Sequence, residues 1–363
     1  MTTRNITLQV DRAAHAQTRL CEQEMPELAA GWVRLRVERY ALTANTVTYA
    51  TTGDTLGYWD FFPTGDAGWG CVPAMGWAEV VESRSPGIEV GGRYYGWYPM
   101  ARYVDLQAAA TADGMRDEGP HRASHAPVYR AYTATDRDVY YQPGADAEDR
   151  HALLRGLFIT GWLAEDYFAD NGWFGARRVL VISASSKTAI GFARCADQRP
   201  QVEVIGVTAA RNHAFTHGVG CYDELVEYGE IASIPCGEPI VSIDMSGNGA
   251  VLAAVHGHFG DRLRHSMAVG WSHHDAPSRS AALPGPKPAF FFAPAQVKKR
   301  VQDWGLRGYQ QRTAAALQDF VGWSCVWLQV NHQRGPEAAA AAWRTAHAGL
   351  ASAGTGNVVS IWN

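Results

Sequence analysis

The chain has 363 residues, of which 47% are hydrophobic and 19% are charged. This balance excludes a wholly disordered protein and predicts about two domains. Its 32 Lys and Arg against 36 Asp and Glu leave no surplus of positive charge, so nucleic acid is not an expected partner. Six cysteines without a Cys-x-x-Cys pair argue against a zinc knuckle or a disulfide scaffold. Because we find neither a signal-peptide core nor an apolar run of membrane-spanning length, we expect a soluble, cytoplasmic protein with no membrane partner.

The first part of the chain, to about residue 145, alternates apolar and polar residues. Ile6, Leu8 and Val10 show this period of two, and so does the stretch "GWVRLRVERYAL". The pattern predicts half-buried antiparallel strands, which continue through "WAEVVES" between Gly and Pro turns. Residues 111–145 are polar and weakly periodic, and we expect them to form a long surface loop or an insertion.

The pattern changes near Asp146, where a helical stretch begins. Short apolar segments such as "RRVLVIS", "VEVIGVTA" and "PIVSIDMS" then alternate with helical segments. This alternation predicts a parallel sheet covered on both faces. The predicted fold class is therefore α/β, a doubly wound parallel sheet with an antiparallel β-rich domain. We place the β-rich domain at residues 1–147 and 316–363, and the parallel-sheet domain at 148–315.

The most informative segment is "VLVISASSKTAIGFA", Val179–Ala193. A buried strand runs into a tight turn and then a helix, which aims backbone N–H groups at an anion such as a pyrophosphate. Glycines usually form this turn, but the chain places Ser183, Lys187 and Ala189 there. Hydroxyl groups and the lysine charge can still hold phosphate. We therefore favour dinucleotide binding over its loss, with the candidate residues Ser183, Ser185, Ser186, Lys187, Thr188 and Ala189.

The second strand of this domain ends in "VTAARN". Enzymes that prefer NAD usually place an acid here to accept a hydrogen bond from the ribose 2′-hydroxyl. Thr208 and Arg211 occupy the region instead, and a small polar residue followed by Arg suits a 2′-phosphate. We expect NADP(H) as the cofactor. The alternative for Arg211 is a solvated residue in the first turn of a helix. Asp244, near the end of a later strand, is expected to orient the turn that follows it.

The order of these segments resembles the medium-chain dehydrogenase/reductase superfamily, nearest to its zinc-free quinone and enone reductases. The landmarks, in chain order, are "VRLRVERYALTANTVTYATTG", "GIEVGGRYYGW", "GLFITGWLAEDYF", the turn at 183–189, "VIGVTAARNHAFTHGVGCYDELVEY", "VSIDMSGNG" and "GNVVSIWN". A still closer resemblance is to a branch of that superfamily known only as a domain of unknown function. The resemblance implies a Rossmann-type domain and a GroES-like domain, and it adds Tyr228 to the cofactor residues.

The resemblance also implies where substrate binds, in a cleft between the substrate loop and the ends of the parallel strands. "NTVTYATTGDTLGYWDFF" resembles the family's substrate loop and supplies Asn45 and Trp59 as binding residues. Tyr49 or Tyr58 is the candidate proton donor, although core packing is the alternative for Tyr49 and Trp59. His273 is a secondary substrate-binding candidate, with a surface position as the alternative.

The chain departs from the zinc alcohol dehydrogenases of the superfamily. Where they carry Gly-His-Glu after a cysteine ligand, "CVPAMGWAEVV" has Trp77 and Ala78, so no zinc is expected. We therefore expect an enzyme, an NADPH-dependent reductase of an α,β-unsaturated carbonyl or quinone acting on a small molecule.

Two alternatives stay open. One is a non-redox relative that binds an acyl-thioester or an aromatic ligand, as a lyase, isomerase or binding protein without a dinucleotide. The other is a purely structural subunit. The family commonly pairs through the edge of its Rossmann sheet, and "AFFFAP" is an apolar candidate for such a homodimer edge, although a buried strand explains it equally well.

Overall fold

Two stretches, residues 4–269 and 283–363, are described by the computed structural model of this protein. The chain divides into two units, Met1–Leu153 with Leu328–Asn363, and Leu154–Trp327. The first division falls within a long helix, and the second follows the end of another. The sequence-based boundaries, after residues 147 and 315, lie inside these same two helices, six and twelve residues earlier in the chain.

The first unit is built mainly from antiparallel strands. Its strands are β1 (Arg4–Asp11), β2 (Thr18–Glu24), β3 (Trp32–Leu42), β4 (Trp69–Gly70), β5 (Pro73–Ser83), β6 (Arg93–Pro99), β7 (Tyr103–Thr111), β8 (Gly114–Asp117), β9 (Ala131–Ala134), β16 (Gln329–Arg334) and β17 (Thr355–Ser360). Strands β3, β5, β6, β9, β8 and β7 pair in that order, and β7 returns to β3, which closes them into a barrel. Strands β17 and β16 extend the sheet from β3, while β1 pairs with β2 and β4.

The alternation predicted for the first unit is confirmed along β3. Val33, Leu35 and Val37 are fully or almost fully buried, whereas Arg36 between them is exposed. Successive side chains of a strand point to opposite faces, so this spacing fills the barrel core with one face. Short helices α1 (Ala44–Thr51) and α2 (Gly53–Leu56) follow β3 directly.

The expectation of a surface loop at residues 111–145 was wrong. This stretch supplies β8 and β9 to the barrel, together with the short helix α3 (Pro127–Arg130). Arg122 within it is completely buried, donates to the Phe61 carbonyl and lies over the Phe61 ring. Strands β8 and β9 were not predicted because each has four residues, too few to show an alternation of apolar and polar residues.

The second unit has a six-stranded, wholly parallel sheet in the order β12-β11-β10-β13-β14-β15. These strands are β10 (Arg178–Ile182), β11 (Glu203–Thr208), β12 (Glu224–Glu227), β13 (Ile240–Asp244), β14 (Leu263–Ala268) and β15 (Ala289–Phe290). Every residue of β10 and of β13 is buried, because helices cover both faces. The predicted Rossmann-type sheet is confirmed.

The remaining helices mostly belong to the second unit. They are α4 (Ala145–Asp170), α5 (Lys187–Ala196), α6 (His213–Val219), α7 (Gly249–Phe259), α8 (Ala293–Trp323) and α9 (Pro336–His347), the last in the first unit. Gly305, with a φ of 72°, interrupts α8. Within the described stretches, no helix has the length and apolar character needed to cross a bilayer.

Candidate functional site

The strand order of the parallel sheet defines where a ligand would bind. Strand β10 lies between β11 and β13, so the chain leaves β10 toward one edge of the sheet and later returns to build the other half from β13. In open α/β sheets, this reversal opens a crevice outside the carboxyl ends of the two central strands. Here the crevice is bordered by the turn after Ile182 and the turn after Asp244.

The turn after β10 has the backbone of a glycine turn without the glycine. Ser183 has a φ of 66°, in the left-handed region that favours glycine. Its carbonyl accepts from the Ser186 amide at 2.9 Å, and the Ser186 hydroxyl accepts from the Ala189 amide at 3.3 Å. This cap starts α5 and turns its first N–H groups and positive dipole end toward the crevice, which suits an anion.

The side chains that replace glycines differ in their surroundings. Ala189 is completely buried, so its methyl group packs inside the unit. Lys187, the first residue of α5, is partly buried, and burial lowers the pKa of its ammonium to about 8. The half-buried Thr188 follows it. A phosphate group beside Lys187 would favour the charged form of this amine.

The loop after β11 is attached to the turn after β10. The Asn212 side-chain amide donates to the Ser185 hydroxyl at 3.0 Å. This bond fixes the short 3₁₀ turn that carries Arg211, whose exposed guanidinium has no ion pair among residues 4–269 and 283–363. Thr208, at the end of β11, is completely buried, and its hydroxyl has no hydrogen-bond partner in the described part of the chain. The sequence did not single out Asn212, because its contact with Ser185 is formed only by the fold.

Two further side chains line this edge of the sheet. Tyr228, which follows β12, faces Ser183, and burial raises the pKa of the Tyr228 phenol. The amide and hydroxyl of Ser183 face the phenol oxygen and offset part of that rise. Asp244 accepts hydrogen bonds from the Ser246 amide at 2.7 Å and the Ser246 hydroxyl at 2.6 Å, which confirms that it orients the turn after β13.

The predicted substrate residues lie in the first unit, on α1 and the 3₁₀ turn that follows α2. The Asn45 amide donates to the Tyr49 phenol oxygen. Tyr49 and Tyr58 are 8% and 6% exposed, with their rings 4.7 Å apart, and burial raises the pKa of both phenols. Trp59 is 4% exposed and fits so closely against Gly53 and Gly70 that a Cβ at either glycine would collide with its indole.

The predicted aromatic residues belong to a larger cluster. Trp97 packs edge-on against Tyr49 at 5.1 Å, and the Tyr129 hydroxyl lies 3.4 Å from that of Tyr58. Neither Trp97 nor Tyr129 was singled out in the sequence, because their strand β6 and short helix α3 are distant from α1 along the chain. His273 lies outside the described residues.

The region compared with the zinc dehydrogenases is core rather than surface. Cys71 is buried, and Trp77, which is completely buried, donates its indole N–H to the Glu148 carbonyl at 3.1 Å. No group of three or more His, Cys, Asp or Glu residues that could hold a metal ion occurs in residues 4–269 and 283–363.

Solved structures with this architecture are numerous. The chain superposes on CurA from Vibrio vulnificus in complex with NADPH with a TM-score of 0.58 and 15% identity, each chain being 99% covered. The quinone oxidoreductase from Coxiella burnetii gives a TM-score of 0.56 and 14% identity, and the match covers 98% of this chain and 99% of that one. The human synaptic vesicle membrane protein VAT-1 homolog-like protein gives a TM-score of 0.54 and 13% identity, with 99% of each chain covered. The protein therefore has the medium-chain dehydrogenase/reductase fold, as the resemblance implied.

The family model for "Protein of unknown function (DUF2855)" matches residues 40–352. The chain belongs to this family. No curated protein matches the sequence.

Proposed function

We propose that this protein is an NADPH-dependent reductase of an α,β-unsaturated carbonyl or a quinone, acting without zinc. The observation that carries the proposal is the β12-β11-β10-β13-β14-β15 order with the left-handed turn at Ser183 opening onto α5. The fold is also that of proteins solved with NADPH. When bound, NADPH would supply the hydride.

The residues around the crevice fit such a cofactor in charge and position. The amides of the first turn of α5, with Ser186, Lys187 and Thr188, supply donors and a positive charge for the pyrophosphate. Arg211 is free of acidic partners in the described stretches and suits the 2′-phosphate, while Thr208 and Tyr228 lie at the ends of the neighbouring strands.

Asn45 and Tyr49 are the proposed substrate pair. Because the Asn45 amide donates to the Tyr49 oxygen, the phenol keeps its own hydrogen for a carbonyl oxygen. Neutral Tyr49 can thus polarise that carbonyl, and the aromatic rings around it would hold a flat conjugated substrate. Tyr58 and Trp59 complete this wall. His273 stays a candidate for substrate binding.

One observation favours the non-redox alternative. The Tyr228 phenol already faces the amide and hydroxyl of Ser183, which a pyrophosphate would otherwise use. A relative that has lost its dinucleotide would retain this contact, and it would bind no NADPH.

Arg211 provides the test of cofactor choice. We expect Arg211→Gln to weaken NADPH binding about 10- to 100-fold and to leave NADH binding unchanged, because a charge-assisted bond to phosphate contributes roughly 1.5–3 kcal/mol. Nicotinamide fluorescence titrations of both cofactors measure this. Arg307→Gln, at another exposed arginine of the same unit, is the control and should change neither affinity. Equal losses of affinity for NADPH and NADH would contradict the assignment of Arg211 to the 2′-phosphate.

Tyr49 provides the test of the chemistry. With saturating NADPH and a simple quinone or enone as acceptor, Tyr49→Phe should lower kcat about 100-fold, the scale of general-acid catalysis, while the NADPH Kd stays constant. Tyr40→Phe is the control, since Tyr40 is completely buried and its hydroxyl has no partner in the described residues. Unchanged turnover in Tyr49→Phe would remove Tyr49 from the proposal.

A homodimer paired through the edge of the parallel sheet stays part of the proposal. Among the described residues, β15 is an edge strand of the parallel sheet; Phe290, its last residue, and Phe292 just after it are 46% and 59% exposed.

A further inference from the structure

A pocket of about 240 Å³ lies in the first unit and is not part of the sites described above. It opens where β16, β17 and β3 run side by side at one end of the eight-stranded sheet. Its lining includes Arg36, Arg39, His332 and Arg334, with Glu38 as its only acid. The concentration of basic side chains on one sheet face is the feature to be explained.

Strand periodicity brings these side chains together. His332 and Arg334 are two apart on β16 and pair with Val358 and Ser360 of β17, so all four share one face. Strand β3 has a bulge between Val37 and Arg39, and a bulge re-aims the side chains next to it.

The acids near the pocket already have partners. Asp149, almost completely buried, accepts from Arg39 Nε at 2.5 Å and from His332 Nε2 at 2.6 Å. Glu38 is held by Arg93 at 2.7 Å and by Arg39 at 3.3 Å. These carboxylates pair with Arg39 and Arg93. They are therefore not available as partners for Arg36 and Arg334 at the mouth of the pocket.

The basic side chains at the mouth of the pocket have fewer ion-pair partners. Arg334 is exposed and has no ion pair in the described stretches, and Arg36 makes one contact of 2.9 Å with Glu79 while its side chain is 45% exposed. His332, 53% exposed, is oriented through Nε2 by Asp149, which directs its Nδ1 away from that carboxylate. Two guanidinium groups form a set of donors suited to an oxyanion, and the imidazole adds an Nδ1–H donor to this set when it is protonated.

We propose that this pocket binds a small oxyanion, the phosphate or carboxylate group of a small molecule, through Arg334, Arg36 and His332. Trp362 adds an aromatic wall whose indole N–H is already bonded to the Val37 carbonyl at 2.8 Å, so it contributes surface rather than a donor. The volume limits the ligand to a compact molecule or to the charged end of a larger one.

The test is a calorimetric titration of the full chain with inorganic phosphate and, separately, with malonate, at constant ionic strength set with sodium chloride. We expect saturable binding of one or both anions, and their relative affinities identify the phosphate or the carboxylate as the preferred group. Arg334→Gln should weaken that binding about tenfold. Arg344→Gln, an exposed arginine on α9 of the same unit, should not.

A second variant separates this pocket from the proposed cofactor turn, which also attracts phosphate. Arg211→Gln should leave the Arg334-dependent binding intact, whereas His332→Gln should weaken it. The proposal is overturned if neither anion saturates, or if Arg334→Gln and His332→Gln both bind as the unchanged protein does.

Discussion

Ser183 shows how a single residue can keep a turn that normally needs glycine. Its φ of 66° is costly for a residue with a Cβ, by roughly 1–2 kcal/mol. The turn survives because β10 and α5 fix both of its ends, and because the Ser183 carbonyl accepts from Ser186. The replacement of this glycine therefore does not argue against the Rossmann-type turn.

Ser183→Gly should raise the free energy of unfolding by about 1 kcal/mol, because it removes the left-handed strain. Chemical denaturation of the variant and the unchanged protein measures the difference. Ser352→Gly is the control at a position without positive φ, where added chain freedom should have the opposite or no effect. A Ser183→Gly variant that is clearly destabilised would mean that the hydroxyl contributes more than the strain costs.

Lys187 makes the stability of the protein depend on pH. Burial lowers its pKa from 10.5 to about 8, so between these values the folded protein binds fewer protons than the unfolded chain. Stability therefore rises with pH across this window, and below its lower end the buried charge is fully destabilising.

Lys187→Met should stabilise the protein at neutral pH by about 2 kcal/mol, with the gain fading as pH rises toward the ordinary lysine pKa. Unfolding measured from neutral to alkaline pH tests this, with the exposed Lys298→Met as a control that should show no such trend. Under the proposed function, the same variant binds NADPH more weakly. If the difference in unfolding free energy between Lys187→Met and the unchanged protein did not change with pH, it would contradict a destabilising charge at Lys187.

At the scale of elements, the position of α5 depends on its close contact with α4. A Cβ on Gly161 of α4 would lie 2.6 Å from the Thr188 carbonyl oxygen and 2.7 Å from the Phe192 amide nitrogen. Both atoms belong to the α5 backbone and cannot move aside without shifting the helix. The glycine is thus required for the approach that holds the first turn of α5 at the crevice.

Gly161→Ala should destabilise the protein by about 1–3 kcal/mol through overpacking, and it should weaken NADPH binding by displacing α5. Gly218→Ala is the matched control, because this helical glycine of α6 has open space at its Cβ, and alanine there favours the helix. Thermal unfolding of the two variants compares them. Equal stability of Gly161→Ala and the unchanged protein would show that α4 and α5 separate easily.

The elements that the sequence predicted are those with a strong apolar pattern, either an alternation of apolar and polar residues or a short continuous apolar run. The apolar strands β10, β11 and β13 and the helices between them follow directly from their patterns. Strand β16 was missed because its six residues, "QVNHQR", are mostly polar and partly exposed at the sheet edge. His332 and Arg334 therefore belonged to no predicted element, and the pocket that they line could not be predicted from the sequence.

At the scale of the whole molecule, the chain order of motifs predicted the fold, and the solved structures confirm it. Candidate site residues could be proposed from the sequence where they end or follow a strand, as Thr208 and Ser183 do. Their partners were not, because the Asn212–Ser185 bond and the Tyr228–Ser183 contact join segments separated by a helix and a strand. The burial of Tyr49 and Tyr58 likewise depends on Trp97 and Tyr129, which no local pattern connects to them.

The central claim is that the turn from Ser183 to Ser186 and the start of α5 hold a pyridine dinucleotide. Titration of the purified chain with NADPH, followed by nicotinamide fluorescence, tests it most directly. We predict saturable binding of one NADPH per chain, tighter than that of NADH and weakened by Lys187→Met. The absence of binding at millimolar NADPH would contradict the claim and would favour the relative that has lost its dinucleotide.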